Sequence, residues 1–359
     1  MKNKRKAQIK VAVIGVGAMG SHHARIYAEM QDVRLVGVAD LDRTRAATIA
    51  RRYGTTGYSD YGTLLDRAKP EAVTVAVPTR HHLPVALEVM QRGIHLLLEK
   101  PISYTLEEGQ QIAKCSSEAG VQLMIGHVER FNPAIIQLRD RVNSGEAGKV
   151  FQMDARRQGP FPARPIDVGV VVDLAVHDLD VIRYVSGQEV IRLYAETERR
   201  IHSDNEDLLT GVLRLRDGTV ATLTINWLTP RKVRELEVTG ELGMFRVNYL
   251  TQDLFFFQNG CAEAAKGDWD SMHVFRGVSE GCMIRYAVEK REPLRIEQEA
   301  FLNAIRNGTT VPVTGWDALA ALRLAHATVI SGLEHHDIAL GIGDSQITVL
   351  QLQSQAQPA

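Results

Sequence analysis

Apolar residues run along this chain in two rhythms. In the first part, short β-branched runs occur at Val11–Ile14, Val33–Ala39, Ala72–Val77, Ile94–Leu98 and Val121–Ile125. They alternate with longer stretches of helical periodicity at Ala18–Met30, Arg43–Arg52, Leu83–Gln91 and Leu106–Ala119. Continuous apolar strands alternating with helices predict a parallel sheet buried on both faces. Right-handed crossovers then make the fold doubly wound. Beyond residue 149 strand-like segments follow one another: Val150–Arg157, Val190–Glu196, Leu208–Leu215, Val220–Trp227, Val233–Thr239 and Met244–Tyr249. Turn signals such as Asp217-Gly218 and Gly240-Glu241-Leu242-Gly243 separate several of them. Helical patterns interrupt at Val171–Val185 and return at Gln298–Asn307 and Trp316–Leu333. This second part predicts an α+β domain on an open, mostly antiparallel sheet.

The 359 residues suffice for two cores. A formal net charge of −1 produces no whole-chain field, so neither nucleic acid nor a membrane surface is an expected partner. The three cysteines, Cys115, Cys261 and Cys282, form no CxxC pair, which excludes a zinc knuckle or a thioredoxin-like motif. Their sparseness predicts a cytoplasmic protein with buried, inert thiols. The basic start, Met1 to Lys6, is followed by an apolar run, Ile9 to Ile14, too short for a signal core. No stretch approaches the length of a membrane span. The tail from Gln351 is polar and predicted to fray.

The first predicted strand leads into Gly15-Val16-Gly17-Ala18-Met19-Gly20 and then a helix. In that context the glycines permit a tight turn and close approach of a pyrophosphate to the helix N-terminus, where free N–H groups await it. Gly15, Gly17, Ala18, Met19 and Gly20 are therefore candidate dinucleotide-binding residues. The second strand ends at Asp40, the position where an acid binds the adenosine ribose and disfavours a 2′-phosphate, so NAD is the expected cofactor. Asp40 could instead cap the following helix. The remaining strand ends carry Pro78-Thr79-Arg80-His81-His82, Glu99-Lys100-Pro101 and Gly126-His127. Together they form one polar rim at the edge where open α/β sheets bind ligands.

Two segments suggest chemistry. Lys100 is either a solvated lysine or a group that hydrogen-bonds a substrate hydroxyl and stabilises a developing alkoxide. On a helix, Asp173, His177, Asp180 and Tyr184 fall on one face of an otherwise apolar surface. That stripe reads as a buried His–Asp pair or as an acid/base site; no third and fourth ligand accompanies it, so no metal is expected.

With these residues the chain resembles the glucose–fructose oxidoreductase/inositol dehydrogenase/MocA family over nearly its full length. The likeness rests on Gly15–Gly20 with Ala24-Arg25, on Glu99-Lys100-Pro101 and on Asp173-x-x-x-His177. It implies an α/β protein: an N-terminal Rossmann domain over residues 1–130, and a C-terminal α+β domain over 131–359 for substrate binding and oligomerisation. The last helix, near 316–334, is a candidate to pack back on the first domain. The resemblance further implies Lys100, Asp173 and His177 as the catalytic group. Thr79, His82, Glu99 and Lys100 would lie in the cofactor-binding set, with a Lys100–Pro101 bond that is commonly cis. Gly126-His127-Val128-Glu129-Arg130-Phe131-Asn132-Pro133 and Arg156-Arg157-Gln158-Gly159-Pro160-Phe161-Pro162 resemble segments of UDP-N-acetylglucosamine 3-dehydrogenases within that family. That closer likeness implies a nucleotide-sugar substrate, and the exposed sheet suggests a homo-dimer or homo-tetramer. His127, Arg130, Asn132, Arg156, Arg157, Arg164, Asp173 and His177 are then the expected substrate-binding residues. Four arginines in a chain of near-zero charge suit an anionic substrate. They could equally pair with Glu129, Asp154 and Asp167.

Overall fold

The β-branched runs of the first part become strands β1 (Ile9–Ile14), β2 (Val33–Ala39), β4 (Ala72–Val75), β5 (His95–Glu99) and β6 (Leu123–Gly126), joined by a two-residue β3 (Gly57–Tyr58). In this computed structural model, residues 8–162, 168–201, 205–260 and 279–341 are described. The basic start, Arg164, Asp167, Cys261 and the tail from Gln351 lie outside them. The six strands are parallel, in the order β3-β2-β1-β4-β5-β6. Consecutive residues Val11, Ala12 and Val13, and Leu96, Leu97 and Leu98, are all buried, as a sheet covered on both faces requires. The strand order reverses between β1 and β4, which opens a crevice at the carboxyl ends of the strands.

Helices α1 (Ala18–Glu29), α2 (Arg43–Tyr53), α3 (Tyr61–Ala68), α4 (His82–Gln91) and α5 (Leu106–Ala119) connect these strands. Their starts are set by local chemistry. Asp42 accepts from the N–H groups of Thr44 and Arg45, Asp60 from that of Thr63, and Thr105 with Glu108 forms a capping box. Residues 294–322 belong to the same compact unit as 1–128. They hold most of α8 (Pro293–Asn307) and the start of α9 (Gly315–Glu334). Phe301 and Leu302 are buried, Arg306 donates to the carbonyl of Asp32 at 2.9 Å, and the Val313 carbonyl accepts from Ile125 N at 3.2 Å.

The second compact unit takes residues 129–293 and 323–359. Its sheet contains β7 (Val150–Gln158), β8 (Val190–Glu198), β9 (Leu208–Leu215), β10 (Val220–Asn226), β11 (Val233–Gly240), β12 (Gly243–Asn248), β13 (Asp253–Gly260), β14 (Ser279–Tyr286) and β15 (Ile338–Ala339). The order is β14-β13-β12-β11-β7-β10-β9-β8-β15. β7 and β10 run parallel and the other described pairs antiparallel. Period-two alternation buries Met153, Ala155 and Arg157 of β7, Leu223 and Ile225 of β10, Leu236 and Val238 of β11, and Phe245 and Val247 of β12. The opposite face carries Asp154, Arg156, Thr222, Glu235 and Glu237 and stays open. Two helices, α6 (Pro133–Asn143) and α7 (Val176–Ser186), complete the described part. Cys115 is buried as expected, but Cys282 on β14 is exposed, because β14 is the edge strand.

Candidate active site

Gly15 turns the chain after β1 with φ +80°. A Cβ there would meet the Ala76 carbonyl oxygen at 2.7 Å, and one on Gly20 would lie 1.7 Å from the Gly15 carbonyl oxygen. Both positions therefore demand glycine. At Gly17 a Cβ would meet nothing of the described residues within 4 Å, so among them the loop has open space where α1 begins. α1 carries no side-chain cap, which leaves its first N–H groups available to an anion. Ala18 and Met19 are exposed at this start. Asp40 accepts from Val16 N at 2.9 Å, from Asp42 N at 2.9 Å and from Arg45 Nη1 at 3.2 Å. It ties the glycine loop to β2; the cap of α2 is Asp42, not Asp40.

The other rim segments follow β4, β5 and β6. Thr79 lies half-buried on a single 3₁₀ turn. His82 is buried, with Nδ1 2.9 Å from the Pro101 carbonyl and Nε2 3.0 Å from the Val77 carbonyl. Its ring clamps the loop after β4 to the loop after β5. Burial pushes its imidazole below the usual range, against the pull of these carbonyls. Both ring nitrogens of His82, expected in the cofactor-binding set, lie within hydrogen-bond distance of backbone carbonyls. Lys100 is half-buried and precedes a cis peptide bond to Pro101. His127 is buried directly after β6.

Behind Lys100 lies a buried chain of polar groups. The Gln298 amide donates to His23 Nδ1 at 2.7 Å, which leaves the imidazole proton on Nε2. Nε2 then donates to Glu99 Oε1 at 2.8 Å, and Lys100 N donates to Glu99 Oε2 at 3.2 Å. Burial opposes ionisation of Glu99, yet the hydrogen bond from His23 and the charge and backbone N–H of Lys100 hold its carboxyl below the ordinary value. Nearby Glu297 is fully buried, and neither carboxylate oxygen has a hydrogen-bond partner. Burial and the field of Glu99 push it well above the ordinary carboxylate range.

In the second unit, the stripe on the predicted helix divides in two. The helix is not uniform: Val171–Ala175 forms a turn of π-helix before α7 begins at Val176. π-turns widen the spacing of side chains and recur at functional sites. Asp173 and His177 straddle this junction and are 6% and 9% exposed. The lower half of the stripe is structural. Asp180 takes a bidentate pair from Arg130 at 2.7 and 2.6 Å, and Arg139 stacks over the Tyr184 ring with Cζ 4.3 Å from its centroid.

The three described arginines of the group read from sequence, Arg130, Arg156 and Arg157, take different acidic partners. Arg157 is fully buried, giving bonds of 2.6 and 3.1 Å to Asp178 and 2.9 Å to Glu129. Arg130 is committed to Asp180, and Arg156, on the open face, pairs with Asp154, Glu235 and Glu237. Arg130, Arg156 and Arg157, expected to bind a substrate anion, are each paired with carboxylates of this unit; Arg164 lies outside the described residues. Asn132, also expected in the substrate set, caps α6 through Ala134 N and donates to the Tyr249 carbonyl at 3.0 Å. Among the described residues no three His, Cys, Asp or Glu side chains are placed to hold a metal ion.

Residues 9–127 match an oxidoreductase family with an NAD-binding Rossmann fold, and residues 135–246 match the GFO/IDH/MocA C-terminal domain. The chain belongs to the GFO/IDH/MocA oxidoreductase family. Its first unit is an NAD-binding Rossmann domain, and the open glycine loop, the uncapped α1 and Asp40 fit that cofactor. Among relatives of this GFO/IDH/MocA protein, UDP-N-acetylglucosamine 3-dehydrogenase of Acidithiobacillus ferrooxidans is 31% identical over 297 residues, covering 83% of this chain and 88% of that one. A solved structure of the enzyme from that organism aligns with a TM-score of 0.78 at 28% identity, over 90% of this chain and 97% of that one. The NAD⁺-dependent scyllo-inositol 2-dehydrogenase of Bacillus subtilis is 27% identical, covering 90% of this chain and 94% of that one.

Sequence reasoning missed His23, Gln298 and Glu297, and also Arg234, Lys232 and Tyr249. For the second group a signal was present. Leu236 and Val238 point inward, so Arg234 and Lys232, at the same parity on β11 and just before it, share the inner face.

Proposed function

We propose that this protein oxidises a secondary hydroxyl of a nucleotide sugar, C3 of UDP-N-acetylglucosamine, to the ketone with NAD. The observation that carries the choice of substrate is the likeness to UDP-N-acetylglucosamine 3-dehydrogenase across both units. Bound on the glycine loop, NAD supplies the acceptor for the hydride leaving carbon. Gly15, Gly17, Ala18, Met19 and Gly20 cradle its pyrophosphate, Asp40 accepts from ribose hydroxyls, and Thr79 and Glu99 lie toward its nicotinamide end. Lys100 donates a hydrogen bond to the reacting hydroxyl oxygen, and His177 accepts its proton. Asp173 orients the imidazole and supports its positive charge. His127 belongs to the substrate set.

The inositol dehydrogenase relatives support a second reading, oxidation of an inositol or free sugar by the same group. Assembly as a homo-dimer or homo-tetramer through the open sheet face belongs to the proposal; Tyr194 and Val212, a cross-strand pair there, are 37% and 45% exposed. So does a cytoplasmic location. No helix among the described residues is long and apolar enough to cross a membrane.

The test mixes the purified protein with NAD⁺ and UDP-N-acetylglucosamine, following NADH absorbance and the mass of the sugar. NADH with a sugar lighter by two hydrogens is expected. Unchanged sugar, with NAD bound, overturns the substrate and sends the search to UDP-hexuronates, inositols and free sugars. A cleaved glycosidic bond without net NADH would make it a hydrolase. Lys100→Met is expected to lower turnover about 10²- to 10⁴-fold while NAD affinity holds; loss of NAD binding instead would remove Lys100 from its assigned role.

A further inference from the structure

The inner face of the second unit's sheet carries a row of cations beside the Asp173/His177 segment. Arg234 on β11 stands directly opposite Arg157 on β7. Like charges so placed repel, and need acids between them. Glu129 supplies part of this, 2.9 Å from Arg157 and 3.7 Å from Arg234, and Asp178 takes Arg157 on two nitrogens. Two residues before Arg234, at the same parity, comes Lys232. Its stem runs beside Gly159: a Cβ on that glycine would meet Lys232 Cγ at 3.9 Å, an ordinary contact, and no other atom of the described residues within 4 Å.

Three cations, Arg157, Arg234 and Lys232, face two contacting carboxylates, Glu129 and Asp178. Among the described residues no carboxylate lies within ion-pair distance of Lys232. Its ammonium is held below the usual lysine range first by the charge of Arg234, then by partial burial and Arg157. Arg234 is likewise lowered, chiefly by burial and by Arg157, and the charge of Asp173 acts on it in the opposite sense. Arg234 and Asp173, the carboxylate proposed to orient His177, are thus within electrostatic reach of each other inside one unit. A lysine beside two arginines, with no carboxylate of its own among the described residues, is placed to receive an anion.

We infer that Lys232, with Arg234 behind it, binds the diphosphate of the substrate, the role sequence reasoning gave to Arg130, Arg156 and Arg157. This rests on the nucleotide-sugar reading above. A mobile ammonium on an exposed stem meets phosphate oxygens as a point charge. Arg234, half-buried and shared with Glu129, adds a guanidinium fork that the diphosphate can occupy once it competes with that distant carboxylate.

The experiment compares wild type with Lys232→Gln and Lys232→Arg, using UDP as the probe. Inhibition by UDP and direct titration with UDP are measured alongside turnover of UDP-N-acetylglucosamine. The expected result is a roughly tenfold weaker UDP constant and a similar rise in KM for Lys232→Gln. The rise in KM should exceed any fall in kcat, and Lys232→Arg should recover most of the loss. UDP constants equal in wild type and Lys232→Gln overturn the inference and leave the nucleotide-sugar reading standing. If wild type does not oxidise UDP-N-acetylglucosamine, that reading fails separately. Titration with UDP, pyrophosphate and galacturonate then decides: weaker UDP or pyrophosphate binding in Lys232→Gln supports a diphosphate site. A difference confined to galacturonate, or none, overturns it.

Discussion

Replacing Arg157 by Met separates a structural arginine from a substrate-binding one. The guanidinium makes three charge-assisted bonds, at 2.6, 2.9 and 3.1 Å, to two buried carboxylates. Such bonds contribute about 1.5–3 kcal/mol each, but the full sum is not lost. Glu129 keeps Arg234 at 3.7 Å, and Asp178, whose carboxyl burial already pushes up against the pull of Arg157, can take a proton. The expected loss is therefore that of breaking a buried pair, about 3–5 kcal/mol. For a unit of this size that corresponds to a fall in Tm of roughly 6–20 °C. Calorimetry on the full chain would read it. The pH dependence has a definite sign. Without Arg157 the folded-state value of Asp178 rises further above its unfolded value. That group's contribution is then fully present below the unfolded carboxylate range and lost as pH rises through the folded value. The deficit relative to wild type should shrink at acidic pH and grow toward neutrality. Adding Asp178→Leu should recover part of it, since the two residues are coupled. A loss below about 1 kcal/mol, accompanied by a large rise in substrate KM, would show that Arg157 is a ligand after all and refute the reasoning.

Gly20→Ala should abolish NAD binding in a titration, since its Cβ would fall 1.7 Å from the Gly15 carbonyl oxygen and the loop cannot close over it; retained affinity would show that the loop yields. His23→Leu removes a buried donor to Glu99 and should destabilise the first unit by about 1–3 kcal/mol. Glu99 is now held below its unfolded value, so its contribution is present above the ordinary carboxylate range and lost as pH falls through the folded value. The His23→Leu deficit should therefore be full at neutral pH and fade in acid, and a pH-independent deficit would assign the loss to packing alone.

Local pattern carried the first unit. Continuous apolar runs such as Leu96–Leu98 can be buried only between two helix layers, and Gly15–Gly20 after such a run has one physical use. The short α3 and β3 were missed because two to eight residues give too little periodicity to read. α6 was missed although Asn132 and Pro133 spell a helix start; Asn132 had been assigned to a ligand. Chemistry at the strand ends was legible as positions, since rim residues follow directly from where strands stop.

What the residues' partners are was not legible. Arg156 and Arg157 look alike in sequence, yet alternation sends one to the open face and the other into the core, where Asp178 and Glu129 take it. His23 and Gln298 are separated by 275 positions and meet behind Glu99 only because the chain after residue 293 returns to the first unit. Periodicity records which way a side chain points, because that depends on backbone geometry within a few residues. Which charge neutralises which depends on long-range packing, and a cation left over, as Lys232 is, becomes visible only once every other pair has been formed.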